Sequence, residues 1–371
     1  MRILQVSSAR ALGGGERHLA ALAAGLSARG HELFAALRDP SPLADKLSAL
    51  PQQNIFTLPL RNALDAPSAL KLARFVRERE IEIVHAHIAR DYTLAAFAAR
   101  RNPRAALVLT RHVLFPLSRA HRVALANVSR VIAVSEAVAR SLRARGVFAD
   151  EKIRVVPNAV DVEVFARARR VFEESAHAKN KAVRPFRVGI VGEISEVKGQ
   201  EDFVRAAAIV AEKFDGAVEF VIAGDDLSRT GERRARLERL IAELGLTERV
   251  RLTGWLEDVA SAVATFDVFV SASRSEAFGM ALAEALACGV PVVATATEGA
   301  REIIEDDANG IIVPVGDARA LAAGVVALLE DETRRRAFGA RAREAARARF
   351  SFERLIAETE RVYLEARDAM T

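Results

Sequence analysis

The chain has 371 residues, of which 51% are hydrophobic and 28% charged, enough to build two domains of ordinary size and too apolar for a disordered chain. Cys288 is the only cysteine, which excludes an internal disulfide and any metal site built from cysteines. No apolar run reaches the about 18–20 residues that a spanning helix needs, and "MRILQVSS" shows no cationic leader with a cleavage site, so the expected location is cytoplasmic.

The net charge of +5 conceals an asymmetry. Residues 1–170 hold 27 Lys and Arg against 14 Asp and Glu, a balance of +13, whereas residues 171–371 carry −8. The first part is therefore drawn to something anionic. Two tyrosines and one tryptophan leave few stacking platforms for bases, and no nucleic-acid motif is present. An anionic membrane surface or an anionic small acceptor fits that charge better, and the inner face of the membrane joins the cytoplasm as an expected location.

In chain order, "RILQVSS" reads as a strand, "GGGERHLAALAAGLSARG" as a glycine-rich turn feeding a helix, and "HELFAAL" as the next strand. "IEIVHAH", "AALVLTRH", "RVIAVS" and "IRVVPN" follow, each a short apolar run separated from the next by a helical pattern. Such alternation marks βα units on a parallel sheet buried on both faces. "ARARRVFEESAHAKNKAVRP" is charged, lacks strand character and ends in proline, which predicts a linker over 169–185 between domains at 1–168 and 186–348. The alternation then restarts with "FRVGIVGE", "VEFVIAGDD", "RVRLTGW", "DVFVSAS", "VPVVATA" and "GIIVPV", and residues 349–371 form a closing helix expected to pack back toward the first domain. The predicted fold is α/β, with two Rossmann-like doubly wound parallel-sheet domains facing a cleft. In such sheets ligands sit beyond the carboxyl ends of the strands.

Strand ends are therefore where chemistry is sought. In "SEAFGMALAEALACGVPVVAT", Glu276 precedes a helix and Glu284 lies inside it, roughly 12 Å apart at helical rise. Between them the free N–H groups of Phe278, Gly279, Met280 and Ala281 make an anion cradle. One carboxylate can then hold sugar hydroxyls, the helix end a diphosphate, and the second carboxylate a ribose diol. Solvated helix charge is the bland alternative, weakened because the helix has almost no polar face. Lys198 in "VGEISEVKG" follows a strand and can neutralise a phosphate leaving group. "GGGE" (Gly13 to Glu16) lets backbone approach a ligand, but His18 stands where a dinucleotide fingerprint needs glycine. His85 and His87 share one strand face, yet no Cys or acidic cluster completes them, so no metal is expected. His112 ends the next strand and is a candidate to meet substrate; a hydrogen-bonded structural histidine is the rival reading. No Asp-x-Asp clamp for a metal–diphosphate occurs in the chain.

Taken together, "VIAVSEAVARSL", "VVPNAVDVEVF", "VGEISEVKG", "LTGWLEDV" and "SRSEAFGMALAEALACGVPVVAT", in that chain order, resemble the retaining glycosyltransferases of family 4, which have the GT-B fold. The likeness runs from first strand to last helix and is strongest in the second half. It implies a second domain that binds a nucleotide-diphosphate sugar, UDP-linked by expectation, and a first that binds the acceptor. By resemblance Glu276 holds the transferred sugar, Glu284 the ribose, and Lys198 with the Met280 and Ala281 amides the diphosphate. Gly14, Gly15 and Glu16 approach from the first domain, Leu256 lies against the base, and His112 sits near the acceptor hydroxyl. The reaction the resemblance implies is a front-face displacement; the missing Asp-x-Asp clamp makes it metal-independent and cofactor-free by expectation, and the basic first domain points to a cell-envelope, lipid-linked or lipopolysaccharide-type glycan acceptor. Two positions depart from the family: Glu193 stands where most members carry arginine, so Arg274 or Arg301 would have to substitute, and Pro-Asn-Gly reads Pro-Asn-Ala at Ala159. A sugar-nucleotide epimerase, a phosphorolytic enzyme of the same fold, and a non-catalytic nucleotide-sugar-binding protein are the alternatives.

Overall fold

The computed structural model describes residues 1–10, 13–178 and 184–370, which divide into two compact units: one runs from Met1 to Ala159 and resumes at Phe352, the other spans Val160–Ser351. The first unit carries β1 (Arg2–Ser7), β2 (Glu32–Arg38), β3 (Ile55–Leu58), β4 (Ile83–Ala86), β5 (Ala106–Arg111), β6 (Val128–Ala133) and β7 (Ile153–Val155). They form one parallel sheet in the order β3-β2-β1-β4-β5-β6-β7. The second unit carries β8 (Phe186–Val191), β9 (Val218–Ala223), β10 (Val250–Gly254), β11 (Val268–Ser271), β12 (Val292–Thr295) and β13 (Gly310–Val313). Its parallel order is β10-β9-β8-β11-β12-β13. Both sheets are doubly wound, as the alternation of apolar runs and helical patterns predicts.

The strands are buried because helices cover both faces; all six residues of β5 are buried. The helices start where short polar side chains take up the first free N–H groups. Asp65 accepts from the Ser68 amide at 3.2 Å, Ser135 from Val138, Thr297 from Ala300 and Asp317 from Ala320. In each sheet the winding reverses between two neighbours, β1 and β4 in the first and β8 and β11 in the second. The loops leaving the carboxyl ends of those four strands flank the natural ligand position of that sheet.

The expected linker is a helix. Val162–Ala178 packs on the helices Val259–Ala264 and Met280–Cys288 and belongs to the second unit, whose boundary falls at Val160 rather than after residue 168. Its apolar positions, the buried Phe165 and Ala166 and the half-buried Val162 and Phe172, recur at helical spacing beneath a coat of arginines. Arg169 donates to the Ala264 and Phe266 carbonyls, both at 2.9 Å, tying the helix down with the charge that made it read as loop. Residues 179–183, the remainder of that expected linker up to Arg184, lie outside the described residues. The last helix, Phe352–Asp368, packs on Gly14–Ala28 and beside β5 and β6. Ile356 lies so close to Gly25 that a Cβ there would sit 1.9 Å from Ile356 Cδ1.

Candidate active site

The second unit gathers its polar side chains at the reversal between β8 and β11. After β8 the chain turns at Gly192, whose carbonyl oxygen would lie 2.0 Å from any Cβ at Gly224. A short 3-10 turn, Glu196–Lys198, presents the lysine, and Gly199 (φ +69°) starts the next helix with room for no side chain, since a Cβ would meet the Ala272 carbonyl at 2.1 Å. Lys198 is thereby held against the loop after β11. Its Nζ forms a short ion pair with Glu276 Oε1, and the Ser273 hydroxyl donates to the same oxygen at 3.0 Å. The Glu276 side chain is 13% exposed and that of Lys198 32%, so the pair is shielded but reachable. A small cavity lined by Ile190, Ser271, Ser273 and Ala281 opens onto both groups.

Glu276 is fixed from behind as well. Gly299 donates its N–H to the Glu276 carbonyl at 3.1 Å, and a Cβ at Gly299 would reach 2.4 Å from the Phe278 carbonyl oxygen. Thr295 Oγ1 donates to the carbonyls of Ser273 and Ser271. Gly279 (φ +106°) then turns the chain into the helix Met280–Cys288. Phe278 itself is 5% exposed and packs edge-on against Phe350, so only its backbone is free for a ligand. The first-turn amides of this helix have no acceptor within it and form the positive end of its dipole. Glu284 is the single charged residue of that helix and is half-buried. Leu256 follows β10, half-buried, beside the 55% exposed Trp255.

Glu193 pairs with Arg233 at 3.5 Å. Arg274 donates to Asp202 at 3.0 Å, and Arg301 is exposed on the helix Glu298–Ile303.

In the first unit the corresponding reversal collects histidines. Gly13 begins the helix Gly14–Ala28, and Glu16 folds back to accept the Gly13 amide at 2.9 Å; its carboxylate is thus engaged in capping its own helix. Gly15 faces His112, whose Cδ2 would lie 3.9 Å from a Cβ there. His112 stacks edge-on against His18 at 5.1 Å and lies 5.9 Å from His87. His85 is satisfied on both sides, by Tyr363 Oη at 2.6 Å and Thr110 Oγ1 at 2.7 Å. His87 bonds Gln5 Oε1 through Nε2 at 2.7 Å. Burial pulls all four imidazoles down, His18 to about 4, His85 to about 3, and His87 and His112 well below the ordinary range, so each is neutral at pH 7.

The structure therefore brings Lys198, Glu276 and the start of the 280–288 helix together, and sets His112 among histidines that spacing alone did not connect. Ser273, Thr295, Gly299 and Gln5 were not legible as site residues. Serine and threonine at strand ends are common, and Gly299 sits in a helical stretch where nothing local requires glycine.

Residues 12–164 match the family described as Glycosyltransferase Family 4, and residues 171–345 match Glycosyl transferases group 1. N-acetyl-alpha-D-glucosaminyl L-malate synthase of Bacillus anthracis is 26% identical over 326 residues, covering 85% of this chain and 82% of that protein. The lipopolysaccharide core biosynthesis glycosyltransferase LpsE of Rhizobium meliloti is 33% identical over 163 residues, 44% of this chain and 45% of its own. Among solved structures, Anabaena Alr3699/HepE in complex with UDP-glucose superposes with a TM-score of 0.80 at 26% identity, over 97% of this chain and 98% of that one. A glycosyltransferase from Rickettsia africae shares the fold, with a TM-score of 0.85 at 22% identity over 98% of each chain.

Proposed function

The chain belongs to the family 4 glycosyltransferases, its two units being the paired domains of the GT-B fold, and from that premise we propose that it moves a sugar from a UDP-sugar to a hydroxyl with retention of anomeric configuration. The observation that carries the reading is the Lys198–Glu276–Ser273 constellation beside the amino end of the helix Met280–Cys288. Without donor, Lys198 and Glu276 neutralise one another. A diphosphate seated on the Met280 and Ala281 amides recruits the ammonium, and Glu276 is released to accept hydrogen bonds from the sugar and to stabilise the developing oxocarbenium ion. The lysine and the helix end supply the positive charge that a divalent metal supplies elsewhere, so the proposed transfer runs without one. Glu284 takes the ribose diol, Leu256 lies along the base, and the neutral His112 contacts the acceptor hydroxyl. Binding of UDP-glucose by the Anabaena protein supports the donor class.

The acceptor proposed is a cell-envelope or lipid-linked glycan at an anionic membrane surface. LpsE lends support through its lipopolysaccharide role. So does the segment from Arg100 to Arg145, which holds ten arginines against one acidic residue, Glu136, and exposes Phe115 (79%) and Val123 (81%). Among the described residues no helix is long and apolar enough to cross a membrane.

Thermal-shift screening against UDP-, GDP- and ADP-sugars tests the donor, because a ligand confined to the native state raises its melting temperature. Stabilisation by UDP-sugars alone is expected; indifference to all three classes overturns the reading. Incubation with donor and no acceptor separates transfer from epimerisation, and co-sedimentation with neutral and anionic vesicles tests the surface.

A further inference from the structure

Three of the first unit's histidines, His18, His87 and His112, bring ring nitrogens close together. His18 and His87 are 3% and 5% exposed, and the Nδ1 of each is buried and unbonded. Both ring nitrogens of His112 are buried and unbonded too. A buried polar atom left unpaired is costly, and unpaired nitrogens on three neighbouring imidazoles suit a common partner. One ring nitrogen from each residue lies within 4.8 Å of the other two. We propose that His18, His87 and His112 form a binding site for a zinc-class divalent ion.

Chemistry and geometry agree on the ligand class. Three imidazoles suit Zn²⁺, Co²⁺ or Ni²⁺ and do not suit Mg²⁺ or Ca²⁺, which take oxygen. Tetrahedral ligands at about 2.0–2.1 Å from zinc stand about 3.4 Å apart, so the rings close by at most about 1.4 Å. His87 has the outer support that metal-bound histidines use: Nε2 donates to Gln5 Oε1, which leaves the lone pair on Nδ1, and Gln5 donates in turn to Tyr363 Oη at 3.2 Å. His85 takes no part, both its nitrogens being bonded elsewhere.

The metal site does not depend on the transferase reading. One consequence does rest on it: with His112 ligated, transfer stops, so the ion acts as an inhibitor that chelation removes.

The full chain, freed of metal by chelator, is titrated with Co²⁺ and Zn²⁺ at neutral pH. One equivalent of cobalt should give the intense visible bands of a tetrahedral ion, and zinc should displace it. Nitrogen NMR of the histidine rings should show His18, His87 and His112 shifting together at one equivalent of zinc. His87→Phe and His18→Phe should abolish the bands, and Gln5→Leu should weaken binding by about 10–100-fold; thermal melts identify any variant that has lost its fold. Zinc that shifts only other histidines of the wild-type chain, or cobalt bands unchanged in folded His87→Phe, overturns the site. Zinc that binds all three rings and leaves transfer untouched keeps the site and removes the role of His112 in the reaction.

Discussion

Acidifying the first unit from pH 7 to pH 5 should cost it a large share of its stability, because its histidine cluster is built for neutral rings. The sign follows from linkage. His18 and His85 titrate at about 4 and about 3 in the folded chain and at 6.5 when exposed, so between those values the unfolded chain binds more protons and stability falls as pH falls. Each withdraws about 2 kcal/mol between pH 7 and pH 5, about 4 kcal/mol together, and His87 and His112 are shifted in the same direction. Against a total of about 5–15 kcal/mol this is decisive. The chromophores separate the units: both tyrosines, Tyr92 and Tyr363, are buried in the first unit, while the single tryptophan, Trp255, lies in the second. Urea unfolding followed by near-ultraviolet tyrosine dichroism should move to lower midpoints as pH drops from 7 to 5, and more steeply than the transition followed by tryptophan fluorescence. A tyrosine-reported transition that holds its midpoint across that range refutes the claim that the four rings are buried in their neutral form.

Replacing Glu276 with glutamine should lower kcat by about 10²–10³-fold with little change in donor affinity, read from initial rates. Glu284→Ala should instead raise the donor KM and leave kcat nearly intact. Gly199→Ala forces a Cβ against the Ala272 carbonyl at a positive φ, and should destabilise the second unit by about 1–3 kcal/mol, read from tryptophan fluorescence in urea, with a matching loss of donor binding. Added EDTA should not reduce turnover; complete loss of activity would contradict a diphosphate neutralised by Lys198 and the helix end.

Much of this was visible in the residues before any coordinates. Parallel strands buried on both faces appear as short apolar runs, and the winding follows from their alternation with helices. Glu276 and Lys198 stood out because a charged side chain at the end of a buried run needs a reason. What stayed hidden was non-local or masked. The helix Val162–Ala178 carries its apolar stripe under arginines that double as packing and hydrogen-bonding groups, so charge content pointed to a linker. His18 is 69 residues from His87 and joins it only because β1 and β4 are neighbours in the sheet. His85 and His87, two apart, looked equivalent, yet Tyr363 from the far end of the chain satisfies one and leaves the other for the cluster.

That contact with Tyr363 bears on how the protein is made. The helix Phe352–Asp368 completes the first unit, covering Leu22, Leu26 and the flank of β5 and β6, but it leaves the ribosome only after the whole second unit has been synthesised. Until then the amino-terminal half waits with an uncovered apolar flank and His85 lacking its phenol. The chain of the second unit is therefore complete before that of the first, and the earliest residues translated cannot reach their full native packing until the last helix has been made.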